Sequence, residues 1–313
     1  MYKVGVITID GFALMSYASV VEPLRAANLL SEKVLYEIVN ITVKASGSRS
    51  SSGVFVFGDN LVGDTLSLDL LLVVAGGDPF LINDKKLFNW LRKMTTFGTT
   101  IGGVSGGPIL LAKAGLMKDR RMTVHWEHAE GLKELVNNIV IERNLYVIDR
   151  DRMTCAGGTA PMDMMLALIS SRNGATFARF VSDWFLHSEI RASGVVQRGR
   201  LADRVGSNNS IVLSTIQLME DHVADPLTLT DLSGLVEICE RQLNRLFKKN
   251  LGKSTMAYYR ALRIEKARNL IRNSTLNISE IAEATGFANP SHLSGVFSSI
   301  YGYPPSKYKV QTY

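Results

Sequence analysis

Apolar and polar positions in the first 190 residues follow two alternating patterns. Short continuous runs of Val, Ile and Leu predict buried strands at Val4–Ile9, Tyr36–Val43, Leu70–Ala75, Thr99–Val104 and Leu145–Ile148. Helical spacing predicts helices at Ser16–Leu30, Lys85–Thr96, Pro108–Ala114, His128–Asn137, Pro161–Ser171 and Ala175–Ser188. Strands that alternate with helices in this way indicate a doubly wound α/β domain with a mainly parallel sheet.

The pattern changes after residue 190. Residues 191–210 are rich in Gly, Arg, Ser and Asn, and from residue 211 onward only helical spacing remains. A weak repeat with a spacing of 50 residues pairs Leu243 with Leu293, Phe247 with Phe297, Gly252 with Gly302 and Tyr258 with Tyr308. We therefore expect an α/β domain over 1–190, a linker over 191–210 and an all-α domain of two similar modules over 211–313.

Each helical module has the pattern of a helix-turn-helix. In the first, a helix that starts at Thr230 or Asp231 precedes a helix with Leu243, Leu246 and Phe247 on its inner face. In the second, a helix follows Ser279, and Asn289-Pro290-Ser291 opens another. A basic helix from about Met256 to Asn273 connects the two modules. The polar face of such a second helix reads base edges in the major groove.

Charge strengthens this interpretation. Between Arg241 and Arg272 ten Lys and Arg residues accompany one acid, Glu265, so this segment carries +9 against +6 for the whole chain. A solvated helix face usually mixes both signs, whereas a single-sign block is typical of a surface that binds phosphates. A nonspecific nucleic-acid binder is the alternative: Arg245→Ala would then weaken all DNA equally, whereas in a specific reader it would relax discrimination at one base position.

Composition narrows the class of protein further. The chain has 313 residues, of which 46% are hydrophobic and 20% charged, which excludes a largely disordered, collagen-like or disulfide-stapled chain. Cys155 and Cys239 form neither a disulfide framework nor a four-ligand metal cluster, so we expect no metal and no cofactor. The chain starts directly with a strand-like segment and has no apolar run of about 20 residues. We expect a cytoplasmic protein that does not enter the membrane.

The stretch from Leu229 to Tyr308 resembles the AraC/XylS DNA-binding domain. The matching residues are Leu243–Phe247, Ala261–Arg268, Ile281-Ala282, Gly286-Phe287, Ser291–Leu293, Phe297, Gly302 and Pro304. The resemblance implies seven helices and two recognition helices in successive major-groove faces of one DNA site. The implied DNA-binding residues are Arg241, Gln242, Asn244, Arg245 and Lys248 on the first recognition helix, and Asn289, Ser291, His292 and Ser294 on the second.

A glycine-rich turn is the most informative segment of the first domain. In Ile101–Pro108 a buried strand ends at Val104, and a helix begins near Pro108. Ser105 then lies at a strand-to-helix elbow beside the free N–H groups of the helix. Such an elbow presents either a nucleophile or an anion site. Glycines in such a turn also serve purely steric purposes.

Residues 3–190 resemble the PfpI/ThiJ-like glutamine-amidotransferase superfamily, specifically the GlxA-like sensor domain that precedes AraC-type domains. The matching residues are Asp10–Phe12, Glu22–Arg25, Ala27-Asn28, Asp69–Val73, Gly76-Gly77, Leu111–Leu116, Thr123–Trp126 and Thr154–Ala160. The implied fold is flavodoxin-like. Enzymes of this superfamily carry a nucleophilic cysteine where this chain has Ser105, and Glu22 matches the acid near it. A carboxylate is a poor base for a serine hydroxyl, so we expect no catalysis.

An amidase- or hydrolase-type activity of Ser105 is the alternative. It requires a base such as His125 within about 3 Å of the hydroxyl.

The same parts suit a binding pocket. Amides of the two glycine-rich turns would hold a carboxylate, and Glu22, His125, Trp126 and Glu127 would surround a cationic head. The residues of the turns are Gly76, Gly77, Asp78, Ser105, Gly106 and Gly107. Regulators that resemble this chain respond to arginine, carnitine or glycine betaine, which implies a small nitrogenous zwitterion as effector. The resemblance further implies that the protein binds promoter DNA, works with RNA polymerase and activates a catabolic operon. From the size of the first domain and its exposed helices we expect a homodimer.

Overall fold

The computed structural model describes residues 1–136, 139–197, 201–273 and 276–310. The chain divides into two compact units, Met1–Gln197 and Arg198–Tyr313. The boundary falls inside the expected linker 191–210. The described residues before the boundary pack with the first unit, and those after it pack with the second. Gln197 is bonded within the first unit, whereas Leu201 and Val205 pack into the core of the second.

The first unit is an α/β domain, as the alternating pattern predicts. Its described strands are β1 (Tyr2–Thr8), β2 (Tyr36–Thr42), β3 (Ser48–Arg49), β4 (Phe55–Val56), β5 (Asn60–Leu61), β6 (Leu70–Ala75), β7 (Thr100–Ser105), β8 (Arg121–Met122), β9 (Val140–Ile141), β10 (Tyr146–Asp149) and β11 (Arg152–Cys155). Its described helices are α1 (Leu14–Leu30), α2 (Lys85–Thr96), α3 (Gly107–Lys113), α4 (Ala129–Leu135), α5 (Ala160–Asn173) and α6 (Ala175–Trp184). The predicted helix end at Asn137 lies outside the described residues.

Seven strands form the central sheet in the order β10-β11-β7-β6-β1-β2-β5. Every neighbouring pair is parallel except β10 and β11, which form an antiparallel hairpin. Helices α2, α3 and α4 cover one face of the sheet, and α1, α5 and α6 cover the other. β6 is fully buried because both faces are covered, which explains its continuous apolar run. The turns after β1, β6, β7 and β11 therefore meet at one edge of the sheet.

In its described residues, the second unit consists of helices joined by short turns and loops. Its helices are α7 (Leu201–Val205), α8 (Ser210–Asp221), α9 (Leu229–Leu235), α10 (Glu240–Leu251), α11 (Thr255–Asn273), α12 (Ile278–Ala284), α13 (Pro290–Tyr301) and α14 (Pro305–Val310). Helices α8 to α14 correspond to the seven expected from the resemblance. Gly252 and Gly302 end α10 and α13 in the left-handed conformation, with φ of 69° and 81°. Glycine is favoured at a position with a left-handed backbone conformation, which explains why both halves of the repeat have it there.

Two apolar clusters hold the second unit together, one for each module. Leu243 and Phe247 lie in the first cluster, and Leu293 and Phe297 lie in the second. The long helix α11 contributes Tyr259 to the first cluster and several residues, Ile264 among them, to the second. It connects the two modules, as the sequence predicts. No described helix has the length and apolar character needed to cross a bilayer.

Candidate nucleic-acid interface and effector site

The first module places α10 on a firmly capped helix pair. Thr228, rather than the expected Thr230 or Asp231, caps α9: its hydroxyl accepts from the Asp231 amide at 3.1 Å, and the Asp231 carboxylate accepts from the Thr228 amide at 2.9 Å. This reciprocal capping box satisfies two N–H groups that a helix start otherwise leaves unpaired. Along α10, the spacing of four residues puts Leu243 and Phe247 on the buried face.

The opposite face of α10 is basic and exposed. Arg241, Gln242, Arg245, Lys248 and Lys249 are all exposed, and none of the four cations forms an ion pair with a described residue. The helix therefore carries uncompensated positive charge together with polar groups that can bond to base edges.

Asn244 differs from its neighbours on the same helix. It is half-buried, and its Oδ1 accepts from the Thr255 amide at 3.0 Å. The side chain ties α10 to the start of α11, so its carbonyl serves the fold. Of the residues expected on this recognition helix, Asn244 is the one that the structure commits to an internal contact.

The second module shows the same architecture with different surface chemistry. Asn289 caps α13, because its Oδ1 accepts from the His292 amide at 2.8 Å. The His292 ring lies edge-on to Phe287 with ring centroids 5.4 Å apart. Ser291 is exposed and Ser294 is half-buried. Helix α13 has no charged residue in its twelve positions, whereas α10 carries four cations on its exposed face.

The basic block of the sequence has two parts with different roles. Arg263 donates from Nε to the Thr285 carbonyl at 2.8 Å and from its guanidinium to the Gly286 carbonyl. It also lies over the Phe287 ring, 4.4 Å from the centroid, and its burial lowers its pKa. Arg268 donates to the Tyr308 hydroxyl at 3.1 Å. These two cations hold the second module together, whereas the α10 cations face solvent.

In the first unit, Ser105 occupies a strained elbow. Its φ is +60°, which a residue with a side chain adopts only at a cost of about 1–3 kcal/mol. Two glycines make the turn possible: a Cβ at Gly107 would lie 1.9 Å from the Val73 carbonyl oxygen, and a Cβ at Gly157 would lie 2.8 Å from the Ser105 Cβ. The predicted strand-to-helix turn is present, and its glycines answer a steric need.

Three predicted segments meet beside this elbow. A Cβ at Gly106 would touch Pro79 at 3.1 Å, so the turn after β6 packs on the turn after β7. The Phe80 ring lies edge-on to the His128 ring at 5.8 Å, which brings the segment after β8 to the same place. Lys113 donates to the Phe80 carbonyl at 2.7 Å and fixes the arrangement. Pro79 and Phe80 therefore connect the turn at Gly106 to His128, whose ring lies 6.0 Å from the His125 ring.

Part of the expected anion site is used by the fold itself. The Gly106 amide donates to the Ala75 carbonyl at 3.0 Å. The Asp78 carboxylate accepts from the Phe80 amide at 3.0 Å, capping the short 3-10 turn Pro79–Leu81. Gly77 is exposed with a φ of +61°. A carboxylate ligand at this edge would therefore depend on fewer amides than the sequence suggests.

The described contacts of Glu22 lie on and around α1. It lies on α1, where it pairs with Arg25 at 2.7 Å, and its charge raises the pKa of Tyr17, although burial is the larger cause. Tyr17 in turn donates to Asn40 on β2 at 2.8 Å. Through Tyr17, the part of α1 near Glu22 is hydrogen-bonded to β2, whereas Ser105 is the last residue of β7.

Sequence reasoning missed Ser16, one turn into α1. Its side chain is fully buried, and its hydroxyl accepts from the Gly158 amide at 2.9 Å, next to the glycine that touches Ser105. The signal available in the sequence was a serine inside the first, otherwise apolar, turn of a helix that follows β1.

The segment His125–Glu127, here called the wall, is half-buried. Burial lowers the pKa of His125, and Glu127, whose carboxylate is 3.7 Å from Nδ1, opposes the shift. His125 is therefore neutral near pH 7, and its ring lies 5.3 Å from that of Trp126. The Trp126 amide donates to Gln197 Oε1 at 2.8 Å. The wall therefore presents a neutral imidazole, an indole and a carboxylate.

Cys155 ends β11 and is fully buried, and burial raises the pKa of its thiol to about 12. It therefore acts as a small apolar residue. A cleft of about 530 Å³ lies beside the segments that follow β1 and β2. Its lining residues are Asp10, Gly11, Lys44, Ser46, Gly47, Arg49, Ser50, Ser51, Gly53 and Phe55, and none of the predicted effector residues is among them.

Comparison with known families agrees with both units. The DJ-1/PfpI family matches residues 2–171, and the family described as a helix-turn-helix domain matches residues 232–311. Among solved structures, an AraC family transcriptional regulator from Pseudomonas putida superposes with a TM-score of 0.52 at 25% identity, over 59% of this chain and all of that chain. A THiJ/PfpI family protein from Pseudomonas syringae gives 0.53 at 19% identity, over 70% and 86%, and supports the fold alone.

The combination of a DJ-1/PfpI α/β unit with an AraC-type helix-turn-helix unit defines a class of DNA-binding transcriptional regulators. This chain is 40% identical to the HTH-type transcriptional regulator GlxA of Rhizobium meliloti, over 97% of this chain and 94% of that protein. It is 36% identical to the HTH-type transcriptional regulator CdhR of Pseudomonas aeruginosa, over 96% and 89%. The chain belongs to the GlxA-like group of AraC-type transcriptional regulators, and its general function is regulation of transcription through DNA binding.

Proposed function

We propose that this protein is a ligand-responsive activator of a catabolic operon, and that a catalytically inactive first unit senses a small nitrogenous zwitterion. The observation that carries the DNA-binding part is the exposed cationic face of α10 on a capped helix pair. In the proposal, Arg241, Gln242 and Arg245 contact base edges and Lys248 contacts phosphate. Helix α13 positions Ser291 and His292 in the next groove face and adds little charge.

Binding of the full chain to duplexes selected from a random library tests this assignment. Arg245→Ala should relax discrimination at one base position, at a cost of about 1–3 kcal/mol. Lys248→Ala should weaken every duplex alike, and Lys33→Ala, an exposed lysine of the first unit, is the charge-matched control. Equal loss on all sequences with Arg245→Ala would support the nonspecific binder instead.

The effector part of the proposal is supported by the wall and the elbow lying at one edge of the sheet. Glu127 and Trp126 would receive a cationic head, and the turns at 76–78 and 105–107 would receive a carboxylate. A neutral His125 adds no competing positive charge.

A thermal-shift screen with L-arginine, L-carnitine and glycine betaine tests the effector class. A compound at 100 times its Kd adds about 2.7 kcal/mol, which is roughly 5–10 °C for a unit of this size. Trp126→Leu should abolish the shift. Trp184→Leu, at an exposed tryptophan on α6, should preserve it. No shift with any of the three compounds would refute the zwitterion class.

One observation favours the enzyme alternative, namely the strained φ of Ser105. His125, the side chain expected as its base, has the Glu127 carboxylate 3.7 Å from Nδ1, and Glu22, the acid that the resemblance places near Ser105, pairs with Arg25. We therefore expect a fluorophosphonate probe to label the wild type no more than Ser105→Ala. Stoichiometric labelling of Ser105 would establish an activated nucleophile.

The proposal also includes a homodimer that engages RNA polymerase at the promoter, in the cytoplasm where the chromosome lies. Sedimentation velocity of the full chain with and without duplex tests the dimer. A monomer in both conditions would remove this part of the proposal.

A further inference from the structure

The last residues of the first unit form an ordered segment that leads directly into the second unit along the chain. This segment, Arg191–Gln197, is here called the strap. The Leu145 amide donates to the Val195 carbonyl at 3.0 Å, and the Gln197 amide donates to the Arg143 carbonyl at 3.2 Å. Val196 forms an antiparallel bridge with Asn144 between these two bonds. The strap thus pairs with residues 143–145, although the sequence suggests a linker there.

One end of the strap is anchored by buried charge. Asp163 on α5 is fully buried, and Arg191 donates to it from its amide at 2.8 Å, from Nε at 3.0 Å and from Nη2 at 2.6 Å. Arg191 also donates to the Thr159 hydroxyl at 2.9 Å. Thr159 lies two residues after Gly157, which touches Ser105. Arg191 is part-exposed, but leaving the fully buried Asp163 carboxylate without this partner is costly, so this end stays in place.

The other end is held by neutral hydrogen bonds to the wall. Gln197 Oε1 accepts from the Trp126 amide at 2.8 Å. Its Nε2 lies 2.9 Å from each of three acceptors, Thr123 Oγ1, the Val124 carbonyl and the Asn144 carbonyl. Two N–H groups serve these three acceptors, so at least one bond is shared. A part-buried neutral side chain can leave such a site at much lower cost than a buried charge.

We propose that the strap transmits effector binding to the DNA-binding unit and that Gln197 is its positioning residue. This inference rests on the proposed function for the location of the effector at the wall. An effector that contacts Trp126 and Glu127 shifts the Trp126 amide, and the geometry at Gln197 changes with it. Undocking the strap beyond its Arg191 anchor lengthens the connection to the second unit by up to about 20 Å, at roughly 3.5 Å per residue.

Linkage provides a test that needs no effector. If the state of the strap biases DNA binding, then DNA binding changes the state of the strap by the same factor. Hydrogen exchange of the full chain is measured with and without its best duplex from a random library. We expect a change of about fivefold or more at the amides of Trp126, Leu145 and Gln197. The Gly11 amide, bonded to the Arg49 carbonyl at 2.8 Å away from the strap, is the control. Unchanged exchange at all three of these amides overturns the proposal.

Gln197→Glu tests the hydrogen bonds of the Gln197 side chain, here called the latch. A carboxylate lacks both N–H donors and would face the carbonyl oxygens of Val124 and Asn144. The Leu145 and Gln197 amides should exchange about tenfold faster in the free variant than in the free wild type. Glycine betaine tests the coupling. In Gln197→Glu, the DNA Kd without glycine betaine divided by the DNA Kd with it should fall to about 1. Gln217→Glu, an exposed position on α8, makes the same charge change away from the strap and should keep the wild-type ratio.

A purely structural role for Gln197 predicts a lower unfolding temperature with an unchanged Kd ratio, and that result overturns the proposal. Should Gln197→Glu fail to fold, Thr123→Val removes one acceptor of the same latch and should reduce the ratio in the same direction. If arginine, carnitine and glycine betaine all fail to bind the wild type while DNA still changes exchange at the strap, the effector class is wrong and the strap stands. If one of them binds and the strap amides respond to neither ligand, the strap is wrong and the sensing function stands.

Discussion

Arg263 gives the sharpest test of how the basic block is divided. We consider Arg263→Met, which preserves much of the side-chain length and removes the guanidinium. The variant loses two charge-assisted hydrogen bonds, to the carbonyls of Thr285 and Gly286, and the contact with the Phe287 ring. For a half-buried group these losses sum to about 2–4 kcal/mol of unfolding free energy. At roughly 4 °C per kcal/mol for a unit of this size, the second unit should unfold about 8–16 °C lower.

Differential scanning calorimetry of the full chain measures this shift directly. Arg260→Met is the matched control, since Arg260 is exposed on the same helix and carries the same charge. It should change the unfolding temperature by less than about 2 °C. If the two variants unfold together, or if Arg263→Met unfolds within about 2 °C of the wild type, Arg263 does not hold the second module and the division of the block is wrong.

Three further predictions concern charge, pH and packing. Lys248→Ala should lower the slope of log Kd against log salt by about 0.9 if it removes one phosphate contact, measured by fluorescence anisotropy at several salt concentrations; an unchanged slope would place Lys248 away from the DNA. Burial lowers the pKa of His125, so below about pH 6.5 the unfolded chain binds the proton first and the first unit should lose stability as the pH falls towards the folded pKa. His125→Gln should flatten denaturant midpoints between pH 7.5 and 5.5, and a profile like that of the wild type would contradict the assignment. Gly107→Ala should destabilise the first unit by about 2–4 kcal/mol, since its Cβ would collide with a backbone carbonyl, whereas Gly295→Ala meets nothing within 4 Å and should not destabilise the second unit.

Much of the fold follows from local pattern. Leu70–Ala75 and Lys85–Thr96 form their elements with the predicted bounds, because a continuous apolar run and a strong 3.6-residue period each have one good solution. The strand Arg152–Cys155 was not predicted. It starts with an arginine that is buried only because its guanidinium reaches the Leu116 carbonyl at 3.0 Å and the Asp151 carboxylate at 2.7 Å. The Leu116 carbonyl lies 36 residues away along the chain, so this hydrogen bond leaves no local signature in the sequence.

The candidate sites divide in the same way. The cationic face of α10 is readable because Leu243 and Phe247 fix which side of the helix is buried, and the arginines must then lie opposite. The role of Asn244 as a tie to Thr255 and that of Asn289 as a cap depend on where the next helix starts.

The two-part architecture, the Ser105 elbow and the excess of positive charge on the helical unit all follow from the amino-acid pattern. Each of these depends on spacings of a few residues, where chain geometry leaves little choice. The pairing of Arg191 with Asp163 and of Gln197 with Thr123, 74 residues away, follows only from the three-dimensional fold. Polar side chains have many chemically equivalent partners, and which one they meet is set by how the sheet brings remote loops together.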